Sequence, residues 1–150
     1  MHKNTVLKTL GALLLTLTSL GAAAEQSVDV GEYVIHYNAL NTDNLLPQVA
    51  QSYGITRSPN RVLLNITVLK KIMGTTGKPV SADITATATN LNNQLYTIDM
   101  REVDDGGALY HLGTLTVNHG DTLTFNITAI PEGSETPYKL KFQKQFYVAR

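Results

Sequence analysis

The 150-residue chain contains no cysteine and no tryptophan, and only 16% of its residues are charged. Without cysteine it can form no disulfide bond, no thiol nucleophile and no cysteine metal site. Acidic and basic residues are equal in number, so the chain lacks the excess positive charge by which proteins bind nucleic acid or anionic lipid. The fold must therefore be held by side-chain packing and by hydrogen bonds between strands.

Motifs for catalysis are also missing. The chain has no G-x-S-x-G nucleophile elbow, no H-E-x-x-H zinc motif and no glycine-rich phosphate loop ahead of a helix. Asp104 and Asp105 are adjacent, but the Gly106-Gly107 pair that follows them predicts a tight hairpin turn, which accounts for both acids. We therefore expect no enzymatic activity, no catalytic residues and no cofactor.

Residues 1–24 have the pattern of a secretory signal peptide. Two lysines precede an apolar run from Leu10 to Leu20, and Ala22-Ala23-Ala24 fits the small-residue cleavage site. The apolar run is short for a membrane span; an uncleaved anchor is the alternative. Cleavage would leave one mature domain, residues 25–150, with 10 basic and 12 acidic residues and a net charge of −2. These features predict a periplasmic protein with no membrane span after cleavage.

Alternation of apolar and polar residues predicts an all-β fold. The clearest strand runs from Val80 to Thr89, where five apolar residues alternate with serine, aspartate and threonine. Similar segments, separated by turns rich in Asn, Asp and Gly, give about seven strands. This spacing favours an antiparallel immunoglobulin-like β-sandwich with one short helix between its first two strands. A small β-barrel is the alternative.

The predicted helix lies within the stretch from Tyr33 to Val68. Pro47 suits the first turn of a helix and Gly54 suits its end, while Asp43 or Asn44 can cap its start. A helix of about two turns is too short to be stable alone, so it must pack on the sheet. The apolar stripe expected to face the sheet comprises Leu46, Val49, Ala50 and Tyr53.

Four residues around this helix form the candidate binding patch: Tyr37, Tyr53, Arg57 and Arg61. Tyrosine and arginine are favoured in binding surfaces, and two arginines four residues apart can hold a carboxylate. The alternative is structural. The tyrosines would then lie at the rim of a small core, and the arginines would anchor the helix through an internal ion pair.

Histidine and methionine are the remaining candidates for metal ligands. The mature chain keeps His36, His111, His119, Met73 and Met100, but no H-x-H or M-x-x-M spacing joins them. We therefore expect no metal site. The alternation around His111 predicts a partly buried, hydrogen-bonded core histidine, and His119 is expected to be a solvated turn residue.

The blocks HYNAL, LLPQVAQSYGI and RSPNRVLLNI make the stretch from Tyr33 to Val68 distinctive. With the signal peptide, the chain resembles a family of small exported bacterial proteins known only as a domain of unknown function. The resemblance covers nearly all of the mature chain and implies one β-rich domain in the periplasm or envelope, with no established activity and no ligand residues. The strands from Val80 to Val148 are also similar to immunoglobulin-like accessory modules of other exported bacterial proteins, a likeness of fold alone.

The function expected from these features is a non-catalytic periplasmic or envelope module for binding or accessory roles. Its partner would be another envelope protein or an extended peptide, met through the helix patch or an exposed sheet edge. The alternative is a periplasmic copper-binding protein, because histidine and methionine are suitable ligands for copper.

Overall fold

The computed structural model describes residues 26–149. The predicted signal peptide and its cleavage site lie outside these residues. Ten strands are formed: β1 (Gln26–Val30), β2 (Tyr33–Asn41), β3 (Arg61–Lys70), β4 (Lys78–Pro79), β5 (Ala82–Thr89), β6 (Leu95–Ile98), β7 (Arg101–Asp105), β8 (Ala108–Thr116), β9 (Thr122–Pro131) and β10 (Tyr138–Gln145). One turn of 3-10 helix (Thr42–Asn44) and the helix α1 (Pro47–Ser52) separate β2 from β3.

The strands form two antiparallel sheets. Sheet A has the order β1-β2-β3-β8-β7, with the two-residue β4 paired to the end of β3, and sheet B has the order β10-β9-β5-β6. Neither sheet closes on itself within the described residues. The predicted immunoglobulin-like sandwich is thereby confirmed over the alternative of a small barrel. Among residues 26–149, no helix has the length and hydropathy needed to cross a membrane.

The first predicted strand is in fact a hairpin. Gly31 has a φ of 55°, in the left-handed region that glycine tolerates best, and the chain reverses so that Val30 pairs with Tyr33. The alternation of apolar and polar residues continues on both sides of Gly31, so this reversal is not visible in the pattern. Helix α1 lies between the strands that begin at Tyr33 and at Arg61, where it was predicted; these are β2 and β3 because β1 precedes them.

Alternation also continues through residues 94–103, which predicts one strand, but this segment is divided. Its first part is β6 in sheet B and its last part is β7 in sheet A, so the chain crosses between sheets at Asp99 and Met100. A period of two shows which side chains share a face, but it does not show which strand lies alongside. The crossing therefore does not interrupt the alternation of apolar and polar residues.

The core fills the space between the sheets. The inner face of β3 contributes four fully buried side chains, Val62, Leu64, Ile66 and Val68. Phe125 on β9 faces them and stacks on Phe142, with ring centroids 4.7 Å apart. Burying each large apolar side chain stabilises the fold by about 1.5–3 kcal/mol, which is how the chain manages without disulfide bonds.

Helix α1 packs on the outer face of sheet A. Ala50 and Ile55 form a second buried cluster with Leu63 of β3 and Leu112 of β8. The expectation that the helix packs on the sheet agrees with this cluster. The predicted stripe needs two corrections: Leu46 is 67% exposed, and Val49 is only half-buried and lies outside the cluster, whereas Ala50 and Tyr53 belong to it.

The way in which α1 begins explains why Leu46 is exposed. Leu46 is the N-cap residue and has an extended backbone, since Pro47 starts the helix after it. The preceding residue, Leu45, packs on the cluster instead. Asp43 and Asn44 belong to the separate 3-10 turn, so neither caps α1. Gly54 has a φ of 65° and follows the helix as predicted.

Candidate functional site

The four residues of the predicted binding patch lie in two places. Tyr37 borders a groove between β2 and β10. Tyr53 packs on the outer face of sheet A, where Arg61 borders a small cleft, and Arg57 lies in the loop between α1 and β3. The fold therefore brings three of them to the region of the helix and leaves Tyr37 elsewhere.

Tyr53 ties the helix to the hairpin between β7 and β8. Its hydroxyl donates to Asp105 Oδ2 at 2.6 Å, and its ring lies 5.9 Å from that of Tyr110. Its backbone carbonyl accepts a hydrogen bond from the Arg101 guanidinium. The hydrogen bond to Asp105, followed by burial and the charge of that carboxylate, raises the pKa of Tyr53 to about 12.

Arg57 holds the loop by a hydrogen bond to backbone. Its Nη2 donates to the Asp43 carbonyl oxygen at 2.8 Å. Buried Thr42 organises the same loop, because its hydroxyl accepts from the Ser58 N–H at 2.8 Å and donates to the Thr56 carbonyl at 2.9 Å. Arg57 thus has a structural contact, although the expected carboxylate partner is replaced by a carbonyl. Whether the patch also binds a partner stays a prediction.

A groove of about 330 Å³ lies beside Tyr37 at one edge of the sandwich. Its floor includes Tyr37 and Phe142, whose ring centroids are 4.7 Å apart. Lys144 Nζ donates to the Ala39 carbonyl oxygen at 2.5 Å, and partial burial lowers the pKa of Lys144. Within the described residues, β1 pairs with β2 only over Tyr33–Tyr37. Among residues 26–149, the part of β2 after Tyr37 has no strand partner on that side.

Strand β10 forms the other wall of this groove and is the outer strand of sheet B. It carries Lys139, Lys141 and Lys144 and no acidic residue. Among residues 26–149, none of these three lysines forms an ion pair. The edge therefore combines positive charge, an aromatic floor and backbone that pairs with no further strand within residues 26–149.

A second cleft lies at the opposite edge of the sandwich. Strand β6 pairs only with Ala86–Thr89 of β5, so the first half of β5 borders a cleft of about 340 Å³ beside β7. Met100, Glu102 and His111 line it. His36 and His119 are not among its lining residues.

His111 is the buried histidine of this cleft, with only 2% of its surface exposed. Its Nδ1 lies 3.2 Å from the Ile66 carbonyl oxygen and its Nε2 lies 3.2 Å from Glu102 Oε2. The Ser81 hydroxyl donates to the same Glu102 oxygen. The prediction of a hydrogen-bonded core histidine agrees with this geometry, and burial is more complete than expected.

Lys144 and Glu102 were missed as candidates from the sequence. One signal was present for Lys144, because it falls on the apolar face of β10, in step with Leu140 and Phe142. No such signal marks Glu102 in the sequence, because its proximity to His111 follows from the pairing of β7 with β8.

A family model described as "Domain of unknown function (DUF4426)" matches residues 27–149. The crystal structure of a DUF4426 family protein from Pseudomonas aeruginosa PAO1 is similar, with a TM-score of 0.73 and 30% sequence identity. The match covers 84% of this chain and 97% of that one. No curated protein sequence gives a significant match.

Two structures of FetP from uropathogenic Escherichia coli strain F11 are also similar, each with 12% sequence identity. One is FetP as isolated after expression in the periplasm, with a TM-score of 0.57 and coverage of 85% of this chain and 96% of that one. The other is a copper-bound FetP variant, with a TM-score of 0.59 and coverage of 84% and 97%. At this level of identity the likeness is one of fold alone.

Proposed function

Because the chain belongs to the DUF4426 family, a domain of unknown function, we propose its role from its own geometry. It is a non-catalytic binding module of the periplasm or cell envelope that captures an extended segment of a partner protein. The observation that carries this proposal is the groove between β2 and β10, in which Tyr37, Phe142 and Lys144 meet beside unpaired strand edges.

An open strand edge offers a row of N–H and C=O groups to an incoming strand. Beyond Tyr37, β2 has such an edge, and β10 presents another along the outside of sheet B. Addition of a partner strand is a common mode of peptide recognition, in which backbone hydrogen bonds give affinity and side-chain pockets give specificity. The groove at this edge supplies a pocket of that kind.

The lining of the groove defines the chemistry of the partner. Lys144 in the groove favours a segment with an acidic side chain, and the Tyr37–Phe142 floor favours an apolar or aromatic residue beside it. Lysines on an edge strand also discourage association between copies of the same chain. The lysines of β10 therefore favour binding of an acidic partner and disfavour association between two copies of this chain.

Export to the periplasm is part of this proposal. It is supported by the signal-peptide pattern of residues 1–24. The chain recovered from the periplasmic fraction should have the mass of residues 25–150. A mass that includes residues 1–24 would contradict export by cleavage.

The binding test uses this mature chain and two fluorescent ten-residue peptides, one alternating Glu with Phe or Val and one with Lys in place of Glu. The acidic peptide should bind, and Lys144→Gln should weaken it by about tenfold, the effect of losing one charge-assisted hydrogen bond. Lys78→Gln, an equal loss of charge on the exposed strand β4, is the matched control. Equal binding of both peptides, or an unchanged affinity in Lys144→Gln, would contradict the proposal.

A second candidate function is transition-metal binding. The specific observation in its favour is that Met100, Glu102 and His111 share one cleft. One FetP structure of similar fold is copper-bound, which makes copper the first metal to test in this chain.

A further inference from the structure

We propose that Met100, Glu102 and His111 form a binding site for one copper ion, in the cleft between β5 and β7. The inference rests on the second candidate function, transition-metal binding, and is independent of the groove beside β10. The ligands would be the Met100 sulfur, a Glu102 carboxylate oxygen and the His111 Nε2 atom.

The orientation of His111 is set by its contact with β3. A backbone carbonyl can only accept a hydrogen bond, so His111 Nδ1 must carry a proton and donate it to the Ile66 oxygen at 3.2 Å. In a neutral imidazole, the lone pair is then on Nε2. A backbone contact of this kind is the usual way in which a protein fixes the tautomer of a metal-binding histidine.

The Nε2 lone pair points at a carboxylate. Glu102 Oε2 lies 3.2 Å from Nε2, and an ionised carboxylate only accepts. Two acceptors cannot face each other bare at this distance: either a proton lies between them, on Nε2 or on the carboxyl group, or a metal ion binds both atoms. The Ser81 hydroxyl donates to the same carboxylate oxygen and holds Glu102 in place.

Met100 supplies a sulfur atom on the same side of β8. Its Sδ lies 2.5 Å from the position that a Cβ would occupy on Gly113, so it rests directly over that glycine. Gly113 and His111 are two residues apart on one strand, and their side-chain positions share a face. A larger residue than glycine would displace the thioether from this position.

The three donor types select the metal. Thioether and imidazole favour copper over magnesium, calcium or manganese, and copper heads the affinity order of the divalent first-row metals. Among residues 26–149, no group of three or more His, Cys, Asp and Glu side chains could hold a metal ion. The sulfur of Met100 is therefore the ligand on which this site depends.

The experiment is titration of the mature chain with Cu(I) in competition with a chromophoric chelator, under anaerobic conditions. One equivalent should bind more tightly than about micromolar, with a sulfur ligand visible by X-ray absorption spectroscopy. Met100→Leu keeps the side-chain volume and should weaken binding by at least about tenfold, as should Glu102→Gln. His111→Gln should do the same, with its fold checked by circular dichroism.

Matched controls come from the same chain. Met73 is 101% exposed and His119 is at the surface, so Met73→Leu and His119→Gln should bind copper like the unaltered protein. One tight equivalent that survives in Met100→Leu would overturn this site while leaving metal binding intact. Absence of any stoichiometric copper binding would overturn both the site and the second candidate function, and would leave the peptide groove unaffected.

Discussion

Tyr53 illustrates how a side chain that suits a binding surface can be used within the fold. Its hydroxyl bonds to Asp105, its carbonyl accepts from Arg101, and its ring packs near Tyr110. From the sequence, tyrosines and arginines near the helix fitted both a binding patch and a structural anchor. The contacts that separate these readings join residues about fifty positions apart, and spacing along the chain carries no information about them.

The raised pKa of Tyr53 predicts a specific loss of stability at alkaline pH. Because its pKa is about 12 when folded against an ordinary 10.0, the bond to Asp105 contributes fully below pH 10 and is lost as the pH rises towards 12. Tyr53→Phe should cost about 0.5–1.5 kcal/mol at neutral pH. That difference in unfolding free energy should shrink between about pH 10 and pH 12.

Urea unfolding of the unaltered protein and Tyr53→Phe across this pH range measures the difference. Tyr147→Phe is the control, since Tyr147 is exposed and its hydroxyl bonds only to nearby Gln145. A difference for Tyr53→Phe that stays constant up to pH 12 would show that the bond to Asp105 does not stabilise the fold.

At the scale of elements, α1 depends on the loop that follows it as much as on its own residues. Ile55 lies after the helix, is 8% exposed and packs with Ala50 and Leu63. Ile55→Ala should therefore cost about 2–4 kcal/mol, because it leaves a cavity under the helix. Leu46→Ala, the matched loss of an aliphatic side chain at a site 67% exposed, should cost less than about 0.5 kcal/mol.

The midpoints of urea denaturation for the two variants test this arrangement. Similar losses for Ile55→Ala and Leu46→Ala would mean that the helix packs through its amino-terminal end, as its periodicity alone suggested.

Most elements could be predicted, because each depends on local chemistry. Alternation marks the strands, Pro47 and Gly54 bound the helix, and Gly106-Gly107 forms the turn between β7 and β8. The hairpin at Gly31 and the crossing at Asp99 could not, since both leave the alternation unbroken. The candidate sites followed the same rule: the burial of His111 was predictable, whereas its meeting with Glu102 required the strand pairing.

At the scale of the whole molecule, the two long sides of the sandwich differ. On one side, Asp99 and Met100 alone join β6 of sheet B to β7 of sheet A. On the other side, β1 and β2 face β10 without a chain connection, through contacts such as Tyr33–Tyr138 and Tyr37–Phe142. Separation of the sheets by local opening should therefore start on the unconnected side.

Amide hydrogen exchange measures this asymmetry. Hydrogen-bonded amides of β2 and β10 should exchange faster than those of β5 and β8. Faster exchange in β5 and β8 would contradict it and place the weaker side at the crossing.

The crossing at Asp99 and Met100 joins the two sheets along one side of the molecule, and the groove beside Tyr37 lies along the opposite side. We expect the side with the Tyr37 groove to open slightly and admit partners of different shape, while the chain crossing holds its neighbours at a more constant separation. A metal ion tolerates little variation in the positions of its ligands, and Met100 is one of the two residues of this crossing. The proposed peptide groove therefore lies on the side that we expect to open, and the proposed copper site lies on the side that the chain crossing holds together.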